Sequence, residues 1–301
     1  MLPENVFDAE ALIRICQMRE GSFAKAYGMT TVEVDQPAPA NYYHFKDNGS
    51  DILAVAHLDT VAGRKARTAR IVDTEAGPVV HSRALDDRLG AYVILDMLPK
   101  LGLTFDWLLT TGEESGLSTA AFFDAPKKYR WIIEFDRGGT DVVMYHYEDP
   151  ECVQRVRACG AKVGRGSFSD ISYLDHLGVK AFNWGVGYRD YHGPRAHAYL
   201  EDTFEMVDKF LTFHAAFGED FQRAAFDLVV AGLFGSGQQD MRNREIRVLH
   251  GRANQTAPFQ MSCPNFARNI CLNSCAITFS GNFAGAMPHL GQRLQRSFDV
   301  A

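Results

Sequence analysis

Apolar positions recur in two alternating rhythms over the first 225 residues of this chain. Residues 8–18, with Ala9, Leu12, Ile13 and Ile15 set among polar positions, predict an amphipathic opening helix. MTTVEV (29–34) and NYYHFK (41–46) predict strands at one edge of a sheet. Short apolar runs then alternate with helical patterns: ILAVAH (52–57), a helix from about Asp87 to Leu98, WLLTT (107–111), a short helix after Ser115, and WIIEF (131–135). VVMYH (142–146) follows, then helices near 150–159 and 170–177, the strand AFNWGVG (181–187), and a long helix near 203–225 that Asp202 or Thr203 could cap. Such alternation implies βαβ units, so the expected fold is α/β: a three-layer α/β/α sandwich around a mostly parallel, mixed sheet. In open sheets of that kind ligands gather beyond the carboxyl ends of the strands.

The rhythm fades beyond Gly232. From there to Ala301 stand seven arginines, no lysine and three acids, a balance of +4 that leaves −10 on the remainder. The expected division is therefore a folded domain over 1–230 and an appended tail over 231–301, poorly ordered or loosely packed. Cys263, Cys271 and Cys275 with His250 and His289 match no zinc-finger or zinc-knuckle spacing.

With 46% hydrophobic and 23% charged positions in 301 residues, the chain can bury a full core. A net charge of −6 argues against nucleic acid as the main partner, because phosphate binding is driven by clustered Lys and Arg. Small molecules or peptides are the expected ligands. No apolar run reaches the roughly 18 residues of a membrane span, and MLPENVFDAEAL has neither the basic start nor the apolar core of a signal peptide. The expectation is a cytoplasmic protein that binds no membrane. Six cysteines are too sparse for a disulfide scaffold and read as reduced thiols.

The candidate chemistry lies between residues 57 and 197. His57 and Asp59 are two apart at a strand end, so their side chains point the same way. His57 would bind a metal through one ring nitrogen while Asp59 holds the other and fixes the tautomer. Asp86-Asp87-Arg88 opens a helix, where acids are also favoured simply by the macrodipole. In LLTTGEESG, Glu113 and Glu114 follow a buried strand and a glycine; one can coordinate while the other takes a proton from bound water. Asp136 ends the next strand, with Glu134 a competitor for its role. A last imidazole comes from GVGYRDYHGPRAHAYLED, which offers His192, nearer the strand end, or His197. Imidazole and carboxylate donors in this mixture suit a pair of divalent ions. Arg137, Arg189 and Arg195 could bind a substrate carboxylate.

Over about residues 50–205 these motifs, in this order, resemble the co-catalytic di-zinc exopeptidases: leucyl aminopeptidases, glutamate carboxypeptidases and tetrahedral aminopeptidases. ALDDRLGA and GEESGL are especially similar to the last group. The resemblance implies a metal-dependent hydrolase of a peptide or related amide bond, most simply an aminopeptidase, acting on a peptide or acyl-amino-acid substrate. An N-acyl amino-acid deacylase or a non-catalytic metal-binding protein are the alternatives. It implies two divalent ions, zinc first and cobalt or manganese after it. Asp86 would bridge them, His57 and Asp136 would complete one site, Glu114 and His192 the other, and Glu113 would be the general base, with Asp59 supporting His57. It also implies a cis peptide between Asp86 and Asp87. Relatives often insert a lid domain before the bridging aspartate or before the last histidine; the intervals of 29 and 56 residues here leave no room for one.

Overall fold

A computed structural model of the chain describes residues 2, 3, 5–63 and 67–216. The tail 231–301, its cysteines and histidines, the boundary near 230 and the end of the long helix lie outside the described residues.

Three fully apolar runs make the centre of an eight-stranded sheet. Strand β3 (Ile52–His57) is buried at all six positions, as expected of a strand covered on both faces. It lies between β6 (Asp106–Thr110) and β7 (Trp131–Arg137), parallel to both. β10 (Lys180–Gly185) joins β7 in parallel, and β8 (Asp141–Val143) and β9 (Lys162–Val163) extend that side. On the other side β2 (Tyr42–Lys46) and β1 (Thr30–Glu33) pair antiparallel. The sheet order is β1-β2-β6-β3-β7-β10-β8-β9, the mixed and mostly parallel arrangement expected.

One face is covered by long helices. α1 (Ala9–Gln17), capped by the Asp8 carboxylate on the Ala11 amide, packs on α3 (Leu85–Tyr92). α2 (Ser22–Tyr27) is short and buries Phe23. α3 continues through a π turn (Val93–Met97) into α4 (Leu98–Lys100), where Pro99 supplies no N–H to the helical ladder. In the helix over 200–216, here α6, Phe210 meets Trp131, Phe135 and Trp184 at ring separations of 6.3, 5.2 and 5.4 Å. α5 (Pro150–Ala158) packs on β9. The opposite layer is thinner than the pattern predicts. The expected helix over 170–177 is two 3-10 turns, Asp170–Tyr173 and Asp175–Leu177, because Asp170 is pulled into side-chain hydrogen bonds with Thr110 and Ser118 and Gly178 ends the run at φ 68°. Likewise the helix expected after Ser115 is a 3-10 turn at Thr119–Phe122.

The 26 residues between Asp59 and Asp86 hold no lid domain but do hold a hairpin that the pattern left unassigned, β4 (Ala69–Thr74) and β5 (Gly77–Ser82). It joins β12 (His197–Tyr199) and β11 (Tyr188–Arg189) in a second sheet of order β11-β12-β5-β4. Cys16, Cys152 and Cys159 are free and buried. No helix among the described residues is long and apolar enough to cross a membrane.

Candidate metal centre

Parallel pairing of β3, β6 and β7 brings their carboxyl ends to one edge. His57 is the last residue of β3, beside Thr110 at the end of β6, after which the chain turns through Gly112 into Glu113 and Glu114. Asp136 sits near the end of β7. The segment after β5 delivers Asp86 and Asp87, which have non-helical torsions at the head of α3 and are joined by the cis peptide that the resemblance implied. His192 arrives from the loop after β11, in the left-handed region at φ 65°.

Two triads of donor atoms result, His57 with Asp86 and Asp136, and Asp86 with Glu114 and His192; within each, the atoms lie within 4.8 Å of one another. Asp86 is common to both and divides its oxygens: Oδ1 is 3.0 Å from His57 Nε2 and Oδ2 is 3.0 Å from His192 Nε2. His192 Nε2 is also 2.9 Å from a Glu114 oxygen, and His57 Nε2 is 3.7 Å from Asp136 Oδ1. Glu113 belongs to neither triad, yet its Oε2 reaches to 3.7 Å of His57 Nε2. His197 lies elsewhere, on β12, with Nδ1 2.9 Å from the Arg195 carbonyl. Glu134 is also apart: fully buried, it accepts a hydrogen bond from the Ser169 hydroxyl.

Asp59 meets the second nitrogen of His57 chiefly through its main chain. The Nδ1–H of His57 donates to the main-chain carbonyl of Asp59 at 3.0 Å, while the carboxylate Oδ1 stands off at 3.6 Å. The carboxylate instead accepts the Glu114 amide through Oδ2 at 3.1 Å, and Glu114 Oε1 accepts the Val61 amide at 3.1 Å. The two loops are thereby laced together.

Acid is in excess here. Asp59, Asp86, Asp87, Glu113, Glu114, Glu134, Asp136 and Asp170 are buried or half-buried around two imidazoles. Burial, then the charges of Asp136, Asp170 and Asp86, push Glu113 up to about 9 against the pull of His57. Burial and Asp86 raise Asp136 to about 7. Burial would raise Asp86 too, but its hydrogen bonds with His192 and His57 hold it well below the ordinary carboxylate range. The donor set fits a pair of cations: imidazole nitrogens of His57 and His192 stand 3.0 Å from the two oxygens of one carboxylate, in a pocket where buried acids outnumber basic groups, the mixture of nitrogen and oxygen donors that divalent ions take.

Three residues that the sequence pattern passed over help to build this edge. The Tyr188 hydroxyl donates to Asp136 Oδ1 at 2.6 Å. Asn183 holds the Asp136 backbone from both sides, accepting its N–H at 2.9 Å and donating to its carbonyl at 3.0 Å; a polar residue inside AFNWG was the available signal. Asp170 ties Thr110 and Ser118 together beneath the Glu113 loop, and nothing in its sequence context announces it. The three arginines considered for substrate binding have local partners: Arg137 with Asp141 at 3.0 Å, Arg189 with Asp202 at 2.7 Å, and Arg195 more loosely with Asp190 at 3.7 Å.

No protein-family model matches the chain, and no curated protein does. Among solved structures, aminopeptidase PepT from Bacillus cereus is similar at 13% identity, over 69% of this chain and 98% of that one, with a TM-score of 0.52. At that identity the likeness is one of fold, and the chain shares the α/β fold of that enzyme. A tripeptidase from Staphylococcus aureus (12% identity, 68% and 96% covered, TM-score 0.48) and a TET aminopeptidase from a marine-sediment Thaumarchaeota archaeon (14%, 68% and 98%, 0.46) are more distant.

Proposed function

We propose that this chain is a metal-dependent hydrolase of peptide or related amide bonds, an aminopeptidase-type exopeptidase of the co-catalytic di-zinc kind. The observation that carries the reading is the shared carboxylate: two donor triads meet in Asp86, with a third carboxyl, Glu113, beside them and in neither. His57, Asp86 and Asp136 would hold one divalent ion, and Asp86, Glu114 and His192 the other, zinc by donor type with cobalt or manganese as substitutes. Such ions, when bound, would lower the pKa of a bound water and polarise the substrate carbonyl.

The chain's own residues do the rest. Glu113, beside both triads and a member of neither, takes the proton of the attacking water and hands it to the leaving amine. The Asp59 carbonyl keeps the proton of His57 on Nδ1, so Nε2 stays a donor to the metal. Tyr188 orients Asp136. Val61, Leu117, Phe168 and Tyr191 stand about half exposed, each within three residues of Asp59, Glu114, Asp170 or His192, and give apolar surface for a peptide side chain.

The test pairs elemental analysis with two substitutions. The purified protein carries about two ions per chain, Asp86→Ala carries none, and Glu113→Gln keeps both while losing on the order of 10²- to 10⁴-fold in turnover of peptides with a free amino terminus. Near-normal turnover in Glu113→Gln, or two ions retained in Asp86→Ala, refutes the assignment.

A further inference from the structure

The second sheet is charged on its outer face. Arg70 of β4, His81 of β5, His197 of β12 and Arg189 of β11 are register partners in turn, so one row of basic or imidazole side chains crosses all four strands. Their chain neighbours Ile71, Val80, Ala198 and Tyr188 pack toward the core. Cationic side chains brought together across strands oppose pairing, so the two arginines of the row gain nothing from each other within the sheet. Arg189 is occupied by Asp202 and lies 4.7 Å over the Tyr199 ring. Arg70 makes no ion pair or hydrogen bond with any described residue, and the buried Nε of Arg83 has no partner. Burial, then the charges of Arg70 and His197, hold the His81 imidazole below its ordinary value.

Two adjoining cavities, of about 250 and about 470 Å³, open on this face and share Arg70, His81 and Pro194; Arg83 lines the first, and His197 and Arg195 the second. Asp190 is the only acid among the residues lining them. The loop that supplies Asp190, Pro194, Arg195 and Ala196 to these walls is also the loop that carries His192 into the second triad. The strand that carries His81 likewise runs through Ser82 and Arg83 toward Asp86.

We propose that this face is a carboxylate-binding subsite, in which Arg70, Arg83 and His81 take an acidic group of a peptide substrate bound at the metal centre. The inference rests on the hydrolase reading for the substrate's other end, and on charge complementarity for this one. Arginine beside an imidazole suits a carboxylate, which accepts several hydrogen bonds at once. The group is either the side chain of a Glu or Asp downstream of the scissile bond or the terminal carboxylate of a short peptide.

Binding of four peptides to the full-length, zinc-loaded Glu113→Gln protein, measured by calorimetry, tests it: Leu-Gly-Gly-Glu and Leu-Gly-Gly-Gln, each as free acid and as amide. The expected result is that the acidic members bind roughly ten- to a hundred-fold more tightly than the fully neutral amide, and that Arg70→Gln and His81→Gln remove the difference without changing zinc content. A gain that follows the Glu side chain identifies one source; a gain that follows the free terminus identifies the other. Equal binding of all four peptides, or a preference that survives both substitutions, overturns the proposal. So does a dimer in sedimentation that Arg70→Glu dissociates while peptide binding ignores charge, because the face is then covered by a second copy. If acid-dependent binding holds but the protein with Glu113 intact cleaves none of the peptides, the subsite stands and the hydrolase reading falls.

Discussion

Substituting Gly112 with alanine tests the local geometry of the site most sharply. The residue sits at φ 88°, in the left-handed region, immediately before Glu113 and Glu114. An added Cβ would lie 2.3 Å from the Ala40 Cβ and 2.5 Å from the Leu117 carbonyl oxygen. Carbon atoms in contact prefer about 3.5–4.0 Å, so the Ala40 side must yield by more than about 1 Å; Ala40 is fully buried and has nowhere to go. The left-handed backbone costs a non-glycine roughly 1–2 kcal/mol, and overpacking adds typically 1–3 kcal/mol. Together Gly112→Ala is expected to lose about 2–5 kcal/mol in urea unfolding, with turnover falling on the order of 10²-fold as Glu113 moves off station. Ala40→Gly in the same chain should recover part of the loss, since it removes one of the two close contacts but neither the Leu117 oxygen nor the torsion. Gly112→Ala within 0.5 kcal/mol of the parent, about the range of innocuous surface changes, and with unchanged turnover, would refute this account of the turn.

Three further outcomes are expected. His192→Ala should lower the metal content by about one ion per chain while His197→Ala leaves it unchanged, because only His192 lies against Asp86 and Glu114; the reverse in elemental analysis would move the last ligand to β12. Chelation should lower the melting temperature, since free metal at a thousand times its Kd stabilises a site by about 4 kcal/mol; a melting temperature indifferent to chelator in a protein shown to hold metal contradicts the assigned ligands. His44 is buried, hydrogen-bonded to Thr31 Oγ1 at 2.9 Å and to the Glu20 carbonyl at 3.2 Å, and burial depresses its pKa. The unfolded chain therefore takes up this proton first as pH falls below about 6.5, and stability present above that pH is lost by up to about 1.4 kcal/mol per unit. The parent should lose more unfolding free energy than His44→Gln between pH 7 and 5.5, and equal losses would contradict the sign.

How legible the site was depended on whether a residue's reason for being where it is lies in its own neighbourhood. ILAVAH announces a doubly covered strand because nothing polar interrupts it before His57, and the GEE turn announces itself because a glycine must precede it. The hairpin of β4 and β5 gave weaker notice: one face of ARIVDT is turned to solvent, and the strand that completes its sheet, His197–Tyr199, lies more than a hundred residues away. Asp170 was silent for the same reason, and Asn183 gave only a polar residue inside an apolar strand, as their partners Thr110, Ser118 and Asp136 are brought to them only by the fold. His192 was preferred to His197 only for lying nearer the strand end; the loop's actual path, with left-handed torsions at Asp190 and His192, is something no spacing rule supplies. Asp59 shows a subtler limit. H-x-D read as an imidazole held by a carboxylate, whereas the main-chain carbonyl holds the ring and the carboxylate is free to tie down Glu114.

The two triads stand on unequal foundations. His57 and Asp136 project from adjacent strands of the sheet's centre with side chains 0% and 7% exposed, whereas His192 rides a surface loop with 46% of its side chain open to water. A site whose donors are already fixed by packing loses little freedom on capturing an ion; one that must first hold a solvent-exposed side chain loses more. Under the proposed reading the pair would fill in order, the strand-borne position first and the loop-borne position second. Asp86, shared by both, makes the dependence mutual, since whatever the first occupant does to the affinity of the second is returned in equal measure. The chain would then respond to metal supply in two stages, with a singly loaded form of its own between the empty and the complete one.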